Sequence, residues 1–213
     1  MPFSFPKIYP ILDASMIPAT GREEFLRRLG GALAGAGVAL LEYRNKTGSD
    51  VEILADTAIL RSALPADQVK LILDDRADLV EEAGFDGVHV DAGDATPAEA
   101  RRLLGPGRVI GTFGGSDALL PGILQAPVDY LSIGPVFPTT TKKTSKAAIG
   151  AEGVRKLREE AGAGAVLVAV GGITLETAPT VLAAGASVIA VSAAIFRASD
   201  PAAEFRRWAS ALR

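Results

Sequence analysis

Short runs of apolar residues alternate with longer segments of helical periodicity along the whole chain. The apolar runs are continuous rather than interrupted by polar residues, which is typical of parallel strands that are buried on both faces. They predict eight strands, at residues 8–12, 38–43, 69–73, 87–90, 109–112, 130–133, 166–170 and 188–191. The segments between them predict helices, at residues 23–33, 51–62, 97–104, 151–160 and 177–184.

Residues at the predicted helix boundaries agree with this pattern. Asp50 is placed to cap a helix that begins at Val51, and Thr96 precedes Pro97 in the order that helix starts prefer. Glycines follow several helical segments just before the next strand, as left-handed C-terminal caps do. The residues at the helix boundaries therefore indicate a regular repetition of strand and helix.

Eight such units within 213 residues predict one α/β domain, a single (β/α)8 TIM barrel that spans residues 1–213. A doubly wound open sheet also alternates strands with helices and is the structural alternative. Eight units without an interruption favour closure into a barrel.

Composition narrows the function classes. The net charge of −3 gives no global field that recruits nucleic acid or an anionic membrane. Because the chain has no cysteine, disulfides, thiolate zinc sites and a cysteine nucleophile are excluded. No apolar run is long enough to span a membrane, and residues 1–10 lack a signal-peptide pattern, so we expect a cytoplasmic protein.

The second predicted strand ends in alternating charged residues. Glu42, Arg44 and Lys46 share one face, because side chains alternate along a strand. If that face is the barrel interior, two cations and one anion lie at the mouth, where barrel enzymes place functional residues. A polar strand end, with Glu42 paired to one of the two cations, explains the same residues, and both interpretations stay open.

Carboxylates follow the third and fourth predicted strands. Asp74 and Asp75 end one strand, and Asp91 and Asp94 follow the next. Four neighbouring carboxylates repel one another unless protons, cationic side chains or a metal compensate. Such hard oxygen ligands suit Mg²⁺, which takes one or two carboxylates together with substrate phosphate and water. A helix N-cap role accounts for one or two of the four.

His89 is the only histidine of the chain. It lies inside a strand pattern, which favours a packed or hydrogen-bonded imidazole over a catalytic base. The absence of a second histidine from the sequence disfavours a histidine-based zinc site.

The long loop at residues 134–150 carries Thr139, Thr141 and Lys142 beside glycine and proline. Hydroxyl and ammonium donors in such a loop suit a phosphate clamp. A low-complexity surface loop is the alternative.

The seventh and eighth predicted strands lead into small residues. Gly172 follows the seventh strand, and Val191 and Ser192 end the eighth. These loops form the usual phosphate site of a TIM barrel, where glycine allows close approach and helix N–H groups face the anion.

Taken in order, these segments resemble the thiamine phosphate synthase family over nearly the whole chain. The resemblance rests on YPILD, LLEYRNK, LILDDRADLVEEAGFDGVHV, DYLSIGPVFPTTTKK, VAVGGI and VIAVSAAIF. It implies a reaction that joins hydroxymethylpyrimidine pyrophosphate to thiazole phosphate and releases pyrophosphate, with help from Mg²⁺. Expected partners are small phosphorylated molecules, and a homo-oligomer is compatible with the family.

The resemblance also implies roles for individual residues. Asp75 and Asp94 match the metal-binding carboxylates. The positions that contact pyrophosphate are matched by Arg44, Lys46 and Lys142. Other expected substrate-binding residues are Glu42, Asp74, Thr139, Thr141, Gly172, Val191 and Ser192.

Several residues depart from the family pattern. The family usually has glutamine in place of Glu42, asparagine in place of Asp74 and Gly-Gln in place of Asp91 and Ala92. Phe113 stands where a serine is usual and cannot donate a hydrogen bond. These departures lie on the pyrimidine pyrophosphate half.

Two alternative functions use the phosphate site without joining two substrates, and the departures at Phe113 and Ala92 motivate the second of them. A thiazole tautomerase-like isomerase is disfavoured, because such enzymes rely on a histidine where Gly115 stands and do not need paired metal carboxylates. A non-catalytic relative that binds a thiazole phosphate is the other alternative.

Overall fold

The computed structural model describes residues 3–139 and 146–212, and it contains a closed barrel of eight parallel strands. Each strand pairs with its neighbours in chain order, and the first strand closes on the eighth. The strands are β1 (Ile8–Asp13), β2 (Leu40–Arg44), β3 (Lys70–Asp74), β4 (Gly87–Val90), β5 (Val109–Gly115), β6 (Tyr130–Ile133), β7 (Leu167–Val170) and β8 (Val188–Val191). The predicted (β/α)8 barrel is confirmed, and the open sheet is wrong.

Helices cover the outside of the barrel. They are α1 (Arg22–Gly35), α2 (Asp50–Ala63), α3 (Pro97–Leu104), α4 (Gly150–Ala161), α5 (Ala178–Ala183), α6 (Ala193–Phe196) and α7 (Pro201–Ala211). All five predicted helices are confirmed. After β3 and β5 the chain crosses back through the short 3₁₀ turns Ala77–Leu79 and Ile123–Gln125, so these two units are more compact than the others.

The start of α2 differs from the prediction by one residue. Ser49 is the N-cap, and Asp50 is the first residue of the helix. Ser49 accepts from the Glu52 N–H at 3.3 Å, and the Glu52 carboxylate accepts from the Ser49 N–H at 3.0 Å. This reciprocal pair satisfies two helix-end donors, whereas a cap at Asp50 would satisfy one. The predicted cap at Thr96 is confirmed, with Glu99 as its partner.

The core has two layers. The larger layer lies between the strands and the helices, and the smaller one fills the barrel interior around Leu40, Ile72 and Val188. Tyr130 is also fully buried in the interior, and its ring occupies the space where a side chain at Gly111 would lie. A Cβ atom at Gly111 would be 1.9 Å from Cζ of the Tyr130 ring. Glycine on β5 therefore allows a tyrosine on β6 to reach the barrel axis.

We expect Gly111→Ala to lower the free energy of unfolding by about 2 kcal/mol or more, because the ring of Tyr130 has to move. Gly107→Ala is the control, since a Cβ atom there meets nothing within 4 Å. Urea denaturation of both variants measures the difference. Equal losses of stability would contradict the packing explanation.

Candidate functional site

A cavity of about 610 Å³ opens at the carboxyl ends of the strands. Its volume lies within the range of about 300–1,000 Å³ that is usual for small-molecule sites. The predicted site residues that line it are Glu42, Arg44, Asp74, Thr139, Gly172, Val191 and Ser192. Lys46 and Asp75 lie beside it through their contacts with Asp74 and with each other. Thr141 and Lys142 lie outside the described residues.

The cations at the end of β2 and just after it meet carboxylates at the ends of the strands on either side. Arg44 pairs with Asp13 of β1, and its Nε lies 3.3 Å from Oδ2 of Asp74 on β3. The Lys46 ammonium lies 3.0 Å from the same Asp74 oxygen and also pairs with Asp75. The predicted shared face is confirmed, and it is the pocket face. Asp13 was not among the predicted residues, because it reads as an ordinary strand end in the sequence.

A chain of hydrogen bonds forms the floor of the pocket. Glu42 accepts from the Tyr9 hydroxyl at 2.8 Å, whereas Arg44 and Lys46 pair with aspartates, so the structure favours the pocket interpretation of this strand end over the paired one. The Tyr9 and Tyr130 hydroxyls lie 3.0 Å apart, and Tyr130 lies 3.0 Å from Nδ1 of His89. The His89 ring also stacks on Tyr130 at 5.5 Å. The predicted bonded imidazole is confirmed, and Tyr9 and Tyr130 are pocket-lining residues that the sequence interpretation missed.

Two buried carboxyl groups of the pocket, Glu42 and Asp74, hold protons more tightly than usual. Burial, and then the charge of Asp74, raise the pKa of Glu42 to about 7. Burial also raises the pKa of Asp74, against the opposing charges of His89 and Lys46. A protonated Glu42 presents one donor and one acceptor, which is the pattern of a glutamine side chain.

Asp75 and Asp94 come together at the edge of the pocket. Asp75 has a φ of 66° and is the one described non-glycine residue with positive φ, a conformation that aspartate tolerates better than most residues. Its Oδ1 atom is buried without a hydrogen-bond partner. Burial raises the pKa of Asp94, and its direct interaction with Asp75 raises it further. Two adjacent carboxylates with an unsatisfied oxygen fit a hard cation.

The four predicted carboxylates do not form one cluster. Asp74 faces the β2 cations, and Asp91 lies 3.7 Å from Nε2 of His89. Across residues 3–139 and 146–212, no group of three or more His, Asp or Glu side chains is arranged to hold a metal ion. The remaining pair, Asp75 and Asp94, needs further oxygens from substrate and water to complete a magnesium shell.

The opposite side of the pocket is built from backbone. Gly172 has a φ of 63°, and a Cβ atom there would be 2.4 Å from the Pro138 carbonyl oxygen, so the glycine lets the segment with Thr139 pack against the end of β7. The Ser192 hydroxyl donates to the Ile11 carbonyl at 2.7 Å. Its proton is therefore engaged, and Ala193 and Ala194, whose N–H groups precede the first hydrogen bonds of α6, also line this side of the cavity.

The fold and the pocket define a small-molecule-binding TIM barrel with a charged rim at the carboxyl ends of its strands. The family model described as thiamine monophosphate synthase matches residues 8–195. The chain belongs to this family.

Individual relatives agree with the family model. The chain is 41% identical over 188 residues to a thiamine-phosphate synthase of Koribacter versatilis, covering 88% of each chain. It is 35% identical over 211 residues to a thiamine-phosphate synthase of Agrobacterium fabrum, covering 97% of this chain and 93% of the relative. The solved thiamine phosphate pyrophosphorylase from Pyrococcus furiosus is similar with a TM-score of 0.74 and 28% identity, over 96% of this chain and 95% of that chain.

None of the helices within the described ranges is long and apolar enough to cross a membrane.

We expect Glu42→Gln to become increasingly stabilising, relative to the wild type, as pH rises from 4.5 to about 7. The folded wild type keeps a proton in this window that the unfolded chain releases, so its stability falls there, while glutamine does not titrate. The difference in free energy of unfolding between Glu42→Gln and the wild type should grow by on the order of 3 kcal/mol over this window and then level off. Thermal unfolding between pH 4 and 9 (a window of about five units around the shift) measures it.

Glu82→Gln removes an exposed carboxyl group and is the control for the loss of one acidic side chain. A gap for Glu42→Gln that stays constant across the pH range would contradict the buried, proton-holding state of Glu42.

Proposed function

We propose that this chain joins hydroxymethylpyrimidine pyrophosphate to thiazole phosphate in an Mg²⁺-dependent alkyl transfer, giving thiamine phosphate and pyrophosphate. The observation that carries this proposal is that Arg44 and Lys46 share the partner Asp74 on one side of the pocket, where Lys46 also pairs with Asp75 beside Asp94. Two cations and a carboxylate pair that can hold a metal ion lie on one side, which suits a departing diphosphate. The backbone donors on the other side suit a single phosphate.

Asp75 and Asp94 are the proposed Mg²⁺ ligands. Bound there, Mg²⁺ supplies positive charge to the leaving pyrophosphate. The buried Asp75 Oδ1 atom supports this role, because its lone pairs have no other donor. Lys46, which holds the other oxygen of Asp75, fixes the orientation of the carboxylate.

Arg44 and Lys46 are the proposed pyrophosphate-binding cations, together with Lys142 of the undescribed segment. Asp13 and Asp74 hold Arg44 in place, so its orientation is set by side chains of neighbouring strands. Donors that are fixed before the charge develops stabilise it without reorganisation. The reaction breaks the bond between the pyrimidine methylene and the diphosphate oxygen, and the thiazole nitrogen attacks that methylene.

Glu42 is the proposed contact for the pyrimidine ring. With its proton retained, it offers a donor to a ring nitrogen and an acceptor to an amino group, as a glutamine does. Asp74 is proposed to bind substrate through the cations that it holds.

The thiazole phosphate is proposed to bind at Thr139, Gly172, Val191 and Ser192, which line the side of the pocket formed after β6, β7 and β8. Thr141 is proposed for the same phosphate and lies outside the described residues. The expected partners are these phosphorylated small molecules, and a cytoplasmic homo-oligomer stays a prediction from the sequence.

Incubation of the purified protein with both substrates and Mg²⁺ should yield thiamine phosphate, detected by chromatography. No product at high protein concentration would reject the proposed function. Calorimetry with thiazole phosphate alone then distinguishes a non-catalytic binding relative. NMR of the thiazole phosphate alone tests the tautomerase, which needs no pyrimidine substrate.

We expect Asp75→Asn to lower Mg²⁺-dependent turnover at least about 100-fold, since one metal ligand loses its charge. Asparagine also tolerates positive φ, so the backbone at this position is kept. Steady-state kinetics at several Mg²⁺ concentrations, with calorimetric titration of Mg²⁺ and pyrophosphate, measure the loss.

Asp78→Asn is the matched control. Asp78 is exposed and pairs with Arg76 outside the pocket, so this variant should keep wild-type turnover. Equal turnover in the Asp75 variant and the wild type would place the metal elsewhere.

A further inference from the structure

A serine hydroxyl of β6 faces the pocket. Ser132 lines the cavity and is only 8% exposed, so more than nine-tenths of the residue is buried. Among residues 3–139 and 146–212, none forms a hydrogen bond with its side chain. Buried hydroxyl groups are nearly always hydrogen-bonded, because a donor that has lost its hydration needs a partner. The Ser132 hydroxyl is therefore placed to bind a ligand.

The wall on either side of this hydroxyl is apolar. Phe113 of β5 and Val168 of β7 are the register partners of Ser132, and both line the cavity. Tyr130 precedes Ser132 by two residues, so both side chains share the interior face, and Ser132 lies nearer the carboxyl end of β6. The hydroxyl thus interrupts an apolar stretch of wall just above the floor of the pocket.

The wall that carries Glu42 lies across the pocket. In the closed barrel the strands follow chain order, so β6 is four strands away from β2 in either direction. The floor links the two walls, because Tyr9 donates to Glu42 and lies 3.0 Å from the hydroxyl of Tyr130. A flat ring that contacts Glu42 above this floor therefore extends toward the wall of Ser132.

The aminopyrimidine of the proposed substrate has two acceptor nitrogens in its ring. A protonated Glu42 offers one donor and one acceptor, which match the amino group and the ring nitrogen beside it. The second ring nitrogen then points away from Glu42 and needs a donor of its own, since an acceptor buried without a partner loses its hydration for nothing in return. One hydroxyl supplies one donor.

We infer that the Ser132 hydroxyl donates a hydrogen bond to the pyrimidine ring nitrogen that Glu42 does not contact. The two residues then bind the ring from opposite walls of the pocket. The inference rests on the proposed function, because the pyrimidine is its substrate. The hydroxyl makes and breaks no covalent bond, so Ser132 contributes binding and orientation of the ring.

The test compares Ser132→Ala and Ser132→Thr with the wild type in steady-state kinetics, with each substrate varied. Loss of one hydrogen bond should lower kcat/KM for the pyrimidine pyrophosphate by about 3–10-fold in Ser132→Ala. The KM for thiazole phosphate should stay within about twofold, because its proposed site does not include this hydroxyl. Ser132→Thr keeps the hydroxyl on a side chain that strands accept, and should retain most of the activity.

Ser210→Ala is the matched control. It removes the same hydroxyl group from an exposed position of α7 and should equal the wild type.

A substrate analogue tests the contact atom directly. In this analogue, a CH group replaces the ring nitrogen that is not bonded to the amino-bearing carbon. Ser132→Ala and the wild type should turn it over equally, because the acceptor is missing for both proteins. A loss in Ser132→Ala that persists with the analogue would overturn the inference.

The outcomes separate this inference from the proposed function. If the wild type makes thiamine phosphate and Ser132→Ala equals it with the natural substrate, the inference is overturned and the function stands. A loss confined to thiazole phosphate also overturns it. If the wild type makes no product, calorimetric titration of hydroxymethylpyrimidine phosphate decides. Weaker binding by Ser132→Ala supports the inference, and equal binding, or none by either protein, overturns it.

Discussion

The ion pairs of Arg44 and Lys46 with the carboxylates of β1 and β3 are the interaction on which the pocket depends. The pairs join three neighbouring strands at the rim. Because these charges are partly buried, removal of one partner leaves the other uncompensated at a large energetic cost. They also fix the cations before a ligand arrives, so a charged substrate exchanges one set of oxygen partners for another.

Beneath the rim, hydrogen bonds cross the barrel from strand to strand. Tyr9 of β1 links Glu42 of β2 to Tyr130 of β6, which in turn reaches His89 of β4. Aliphatic residues fill the interior below this layer. The barrel is therefore divided into an apolar base that stabilises closure and a polar layer that meets the ligand, and Gly111 permits that division because it leaves room for the Tyr130 ring.

Much of this architecture follows from local sequence. Continuous apolar runs predicted every strand, and side-chain alternation correctly placed Arg44 and Lys46 on one face. The partners of those residues were harder to predict from the sequence, because Asp13 and Tyr9 lie more than 30 positions away and meet β2 only through strand register. The contact of Lys146 with Phe113 joins the segment before α4 to the end of β5, and no periodic pattern in the sequence indicates it.

The left-handed backbone of Asp75 has a consequence for how this site can change. Glycine, asparagine and aspartate enter that conformation at lower cost than most residues, and of these only aspartate carries a charge. Backbone shape and the ion pair with Lys46 thus select the same side chain. A longer carboxylate at this position keeps the charge and meets a backbone penalty, whereas Asp94 has no positive φ, so the same exchange carries no such penalty there.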